Sequence, residues 1–175
     1  MTMFSRALAG ALVLLSAAPA VAQDETQTFN AFAVVLANGS VVRAAEKQLV
    51  VAGSLAGPMF IETDEGPQQA GRVGCALSSK IDQGSRKTSA AGACTFTAYD
   101  GATAWGEWEC AGYELVGCRG TFRLTGGTGR FEGASGESTL IWRPTAYELR
   151  KQLDGMALDN ASGIVLWRDF KLKGK

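Results

Sequence analysis

Histidine is absent from all 175 residues of this chain. That removes the usual general base near neutral pH and the commonest metal ligand together. Proline is scarce, 4 residues against 22 glycines, so glycine must make most of the turns. No C-x-x-C pair, G-K-[ST] or G-x-G-x-x-G occurs, so zinc-ribbon, P-loop and dinucleotide signatures are missing. No cofactor is expected. Neither sign of charge dominates: 17 Lys and Arg balance 17 Asp and Glu, with no long basic run. On composition, nucleic acid and acidic membranes are therefore not expected as partners. No apolar stretch approaches the roughly 20 residues that a membrane-spanning helix needs.

The amino terminus reads as a targeting segment. Met1 to Arg6 carries one positive charge, Ala7 to Leu15 is apolar, and Ser16 to Ala22 is rich in small residues, ending Ala20-Val21-Ala22. This is the layout of a bacterial-type secretory signal peptide with an A-x-A cleavage site. Residues 1–22 are expected to be removed, leaving 153 residues that begin at Gln23. That length fits one domain, 23–175, with a real core. The compartment would be periplasmic or extracellular.

Cysteine usage agrees with export. Cys75, Cys94, Cys110 and Cys118 are spaced by 19, 16 and 8 residues, an even number without metal-site spacing, and read as two disulfides. Asp82-Gln83-Gly84-Ser85 is a turn that places Cys75 opposite Cys94. Gly112 to Val116 folds Cys110 back towards Cys118. The expected pairs are Cys75–Cys94 and Cys110–Cys118.

Short runs of Val, Ile, Thr, Phe and Trp between turn residues indicate an all-β chain. The expected strands are Asn30–Ala37, Val41–Ala45, Gln48–Leu55, Met59–Thr63, Arg72–Asp82, Lys87–Ala98, Thr103–Cys110, Gly117–Thr125, Glu137–Arg143 and Ile164–Lys173. Asn38-Gly39 and Asp100-Gly101 tolerate positive φ, and each favours a tight hairpin. One short helix is expected before the last strand: Thr145-Ala146-Tyr147-Glu148 has capping-box form, Leu149 and Leu153 are four apart, and Gly155 is a stop.

The most distinctive stretch runs from Gly120 to Gly136, two strands around a glycine-rich link. Its glycines supply the backbone angles of a tight, bulged connection. Within it, Gly126, Gly127, Thr128, Gly129, Phe131, Ala134 and Gly136 form G-G-T-G-x-F-x-x-A-x-G. This run resembles the hairpin of dirigent proteins, allene oxide cyclases and the bacterial secreted barrels similar to them. The resemblance implies an antiparallel β-barrel of about eight strands with an interior cavity. It carries over no catalytic residue.

Candidate chemistry is sparse. Glu62 and Asp64 share a strand face and could act together, although a solvated strand end explains them more simply. Glu107 and Glu109 alternate beside Trp105 and Trp108, a pattern compatible with sugar binding or glycoside hydrolysis. On the last strand, period two puts Arg168 on one face with Ile164, Leu166, Phe170 and Leu172. A buried Arg needs a carboxylate or a bound anion, so Arg168 would mark a cavity for an acidic ligand or pair internally. The alternative is that a bulge exposes it. Trp142 and Trp167 precede Arg143 and Arg168, which suggests indole–guanidinium stacking. Together, Arg168, Trp142, Trp167, Glu62 and Asp64 are the candidate ligand-binding residues. The functional expectation is non-enzymatic binding of a small apolar or amphipathic ligand. Alternatives are a cofactor-free isomerase or cyclase, which the resemblance implies, and an interaction module that forms homo-oligomers. Amino-terminal sequencing of the exported protein should begin at Gln23; a retained Met1 would overturn the export reading.

Overall fold

In a computed structural model, residues 26–152 and 155–174 are described. The signal-peptide assignment, residues 1–22, lies outside them. Eight strands follow in order: β1 Thr26–Ala45, β2 Gln48–Thr63, β3 Gly66–Asp82, β4 Lys87–Ala98, β5 Thr103–Tyr113, β6 Gly117–Gly127, β7 Ser135–Gln152 and β8 Gly155–Lys173. Each pairs antiparallel with the next, and β1 closes on β8, so the sheet is an up-and-down barrel without edges. A single 3-10 turn, Gly129–Phe131, lies between β6 and β7.

Three sequence expectations need correction. Asn38-Gly39 does not turn; β1 continues through it, with Asn38 opposite Ser54 and Gly39 opposite Gly53. Its glycine instead marks a register shift against β8, between Ala37 and Gly39. Pairing on both sides outweighs the local turn preference. Likewise the strands expected at 48–55 and 59–63 are one, because Pro58 keeps its place in the ladder opposite Arg72. The expected helix is also absent: Thr145 to Gln152 belong to β7, with Leu149 opposite Leu158 on β8. A capping box is a local preference, and closing the ring recruits this segment as strand.

Alternation puts one side of every strand inside. Ala31, Ala33 and Val35 of β1, Val73 and Cys75 of β3, and Phe122 and Leu124 of β6 are all buried. The interior is apolar, whereas the outer faces of β4 to β6 carry Ser, Thr, Glu and Arg. That arrangement is the inverse of a transmembrane barrel. No helix among the described residues is long and apolar enough to cross a membrane.

The filling is uneven along the barrel axis. At the end formed by the start of β1 and the close of β8, Phe96, Phe122 and Trp167 meet edge to face, with centroids 5.2–6.2 Å apart. Phe170 tilts against Phe122 and stacks on Phe29 at 5.1 Å. Such pairs contribute about 0.5–1.5 kcal/mol each beyond the area they bury. Small neighbours make room: a Cβ at Gly106 would strike the Phe122 ring.

The glycine-rich link seals this packed end. Thr128 N donates to Thr103 O at 2.7 Å, while the Thr128 hydroxyl accepts from Thr103 N at 3.1 Å. A Cβ at Gly127 would collide with Phe131 and Thr103, and one at Gly136 would meet the Phe170 ring at 2.8 Å. Gly129 has φ 58°, and a Cβ there would lie 3.1 Å from the Ala102 Cβ. A β-branched residue fits neither that angle nor that space. Gly129→Val should therefore destabilise the fold by more than about 1 kcal/mol. An unchanged melting temperature would remove this role.

Candidate functional site

Beyond the aromatic layer the barrel is not filled. Its other half encloses a cavity of about 200 Å³. Val51, Leu55, Leu77, Trp108, Leu140 and Trp142 form much of its wall. Period two places these side chains inward from β2, β3, β5 and β7. Trp142 is accommodated because Gly163, on the neighbouring β8, leaves the space its ring occupies. Both disulfides, Cys75–Cys94 and Cys110–Cys118, lie in this half, and Cys75, Cys94 and Cys118 line the cavity. Cys75 and Cys94 are directly opposite each other in the ladder, with Cα atoms 4.0 Å apart.

The mouth lies between the turns at this open end. Tyr113, Glu114 and Leu115, from the β5–β6 turn, contribute to it. Glu114 N donates to Arg86 O at 2.9 Å, and the Glu114 carboxylate lies 3.7 Å from Arg86 Nε. Thus the β5–β6 turn is tied to the β3–β4 turn. Asp82 shapes that second turn, its Oδ1 accepting from Gly84 N and Ser85 N at 2.8 and 3.0 Å. The Ser85 and Gly84 amides hold the Asp82 carboxyl below the usual aspartate range. Polar groups on the cavity wall are few: the hydroxyls of Ser79, Thr88, Tyr113 and Ser162, and the Glu114 carboxylate. Trp108 Nε1 is buried without a hydrogen-bond partner among the described residues.

The structure separates the five candidate residues. Trp142 lines the cavity. Trp167 is fully buried, but in the packed half, against Phe96 and Phe122. Asp64 lies in the exposed β2–β3 turn beyond Glu62. Arg168 and Glu62 meet on the outer wall, Nη1 donating to Oε1 at 2.7 Å and Oε2 at 2.8 Å, with each side chain about one-third exposed. Of the face expected to join Arg168 with Ile164, Leu166, Phe170 and Leu172, the structure keeps Ile164 and Leu166 and turns Phe170 inward; the alternative reading, a bulge that exposes Arg168, is the one found. Upstream of it Ala161, Val165 and Trp167 point inward, whereas downstream it is Phe170. A bulge at Asp169, φ 52°, switches the phase, and its amide donates to Asn30 Oδ1 at 2.9 Å. One extra residue breaks the period-two run just after Arg168.

The strands that carry Trp142-Arg143 and Trp167-Arg168 do pair, but stacking of a guanidinium on an indole between them does not arise, since both indoles are inside and both guanidiniums outside. Glu107 and Glu109 are exposed on the outer wall, opposite to Trp108. Sequence reasoning missed the rim residues Tyr113, Glu114 and Leu115. Their only signal was the turn between Gly112 and Val116, which says nothing of what the turn borders.

No protein-family model and no curated protein matches this chain. Among solved structures it is similar to that of a pterocarpan synthase dirigent protein, at 13% identity. The likeness covers 91% of this chain and 99% of that one, with a TM-score of 0.42. It is a likeness of fold alone.

The ion pair supplies a test of what the outer wall does. Replacing Arg168 with Met should cost about 1 kcal/mol, the upper range for a partly exposed pair. It should leave binding in the cavity unchanged. Loss of cavity binding in a folded Arg168→Met protein would return this residue to the site.

Proposed function

We propose that this chain is an exported barrel that holds a small apolar or amphipathic molecule in its open half, without transforming it. The single observation behind this reading is the unequal filling of the interior: aromatic packing in one half, an apolar cavity in the other. A protein interior normally packs to crystal-like density, and an unfilled apolar space forfeits dispersion contacts. An occupant restores them. At about 200 Å³ the space is below the range of drug-sized sites, about 300–1,000 Å³, and above the apolar cavities of about 150 Å³ that take benzene. A ligand with one or two rings or a short aliphatic chain suits it. Its polar end would lie at the mouth, near the Tyr113 hydroxyl and Glu114.

Binding is better supported than catalysis by the character of the wall. Apart from Glu114, already beside Arg86, the polar side chains of its wall are hydroxyls and indoles. A second reading, association between copies, finds support on the outer wall. Phe32 stacks on Phe60 at 5.1 Å there, beside Val34 and Leu36, which are 49% and 70% exposed. Scattered exposed apolar residues are ordinary, but a contiguous stripe marks contact surfaces.

The cavity reading is tested by filling the space from within. Ala161 is buried on β8 and lines the cavity. Ala161→Phe should weaken binding of a neutral naphthylamine dye by roughly tenfold or more, equivalent to losing much of one ring's burial. Since the added ring enters unfilled space, melting should move little. A folded variant that binds the dye as the parent does would overturn the proposal.

A further inference from the structure

The two ends of the barrel carry opposite charge, although the chain sums to zero. Outside residues 147–156, each end comprises its turns and the three strand residues bordering them. The open end holds Arg43, Lys47, Lys80, Arg86, Lys87 and Arg119 against Glu46, Asp82 and Glu114. The packed end holds Arg130, Lys171 and Lys173 against Glu62, Asp64, Glu65, Asp100, Glu132 and Glu137, of which Glu62 is paired with Arg168 and Glu137 with Arg123. The cationic end is also the end where the cavity opens.

A second feature sits inside this cationic ring. Tyr113, Leu115 and Val116, on and beside the β5–β6 turn, are 52%, 55% and 59% exposed. Leu115 has φ 66°, a conformation that glycine adopts more readily. An apolar side chain thus occupies a turn position that backbone preference would assign to another residue. Cations stand on both sides of it: Arg86 lies next to Glu114, and Arg143 Nη1 donates to Val116 O at 3.4 Å.

We propose that the open end docks on an anionic lipid bilayer. The β5–β6 turn inserts Leu115 and Val116 below the headgroups, Tyr113 sits at their level, and the surrounding turns meet lipid phosphates with Lys and Arg. Apolar insertion and electrostatic attraction act together in interfacial binding, and neither alone gives firm attachment. The cavity mouth then faces the lipid, so an apolar ligand passes between bilayer and barrel without crossing water. That last step rests on the cavity reading; the docking itself does not.

The test is flotation with phosphatidylethanolamine–phosphatidylglycerol vesicles, compared with phosphatidylcholine alone, and without any cavity ligand. Protein with a sequenced amino terminus is used, because a retained Ala7–Leu15 segment would itself bind lipid. The parent protein should float with the anionic vesicles and stay behind with the neutral ones. Leu115→Gly with Val116→Ser should weaken binding by roughly tenfold or more. Glycine suits the φ of residue 115, so melting should not fall. Lys47→Gln with Lys87→Gln should weaken it on the order of tenfold, and added salt should do the same. Dye binding in the cavity, measured in the Lys47→Gln with Lys87→Gln variant, whose two side chains do not line the cavity, should stay as in the parent, which separates failure here from failure of the cavity reading. No flotation with anionic vesicles, equal flotation with neutral ones, or indifference to both double variants would overturn the proposal. A tip that serves a protein partner instead would give the first of those results.

Discussion

The rest of this structure depends on one packing constraint: an eight-strand barrel has an interior that its own side chains must fill. Phe96, Phe122, Trp167 and Phe170 fill one half by edge-to-face and tilted contacts. They meet because the small residues Ala31 and Ala33 stand on β1, where larger ones would crowd them. Closure follows from the same layer. β1 is bound to β8 from Thr26 opposite Lys173 to Val41 opposite Met156, and the aromatic layer sits behind that seam. Where the layer ends, the cavity begins, so the floor of the site is the roof of the core.

The disulfides lie where packing runs out. In the open half the walls face a cavity instead of each other. Cys75–Cys94 ties β3 to β4 there, and Cys110–Cys118 ties β5 to β6 below the mouth. With sequence separations of 19 and 8, loop closure contributes roughly 3 and 2.5 kcal/mol, upper figures for hairpins already held by their ladders. Because the Cys110–Cys118 link also anchors the hairpin that carries Tyr113 to Val116, covalent structure keeps the rim in place around an unfilled space. The same half of the barrel is therefore both the least packed and the most tethered.

What the sequence made legible follows physical rules with different reach. Asp100-Gly101 turns as expected, with Gly101 at φ 83° and the Asp100 carboxylate accepting from Ala102 N, because both neighbouring strands end there. Asn38-Gly39 has equal turn chemistry and does not turn, because β2 and β8 hold it on either side. Thr145 to Gly155 offered a helix in local terms, and the barrel uses Thr145 to Gln152 as strand. Alternation on β8 was legible up to Arg168 only in spacing, not in phase. The bulge at Asp169 depends on Asn30, 139 residues away, and nothing in the local run announces it. The all-β class was therefore readable, whereas the side of the wall on which Arg168 falls was not.

Charge shows why topology had to be known before the open end could be interpreted. In an up-and-down barrel, consecutive turns fall at opposite ends. The turns at 46–47, 83–86 and 114–116 lie at the open end, and those at 64–65, 99–102 and 128–134 at the packed end. A basic end and an acidic end therefore interleave along the chain and cancel in any sum or sliding window. The formal charge of zero, which argued against an anionic surface as partner, conceals two opposed ends about one strand length apart. At a separation well beyond the roughly 8 Å Debye length of physiological salt, each end meets its surroundings as a separate charged surface.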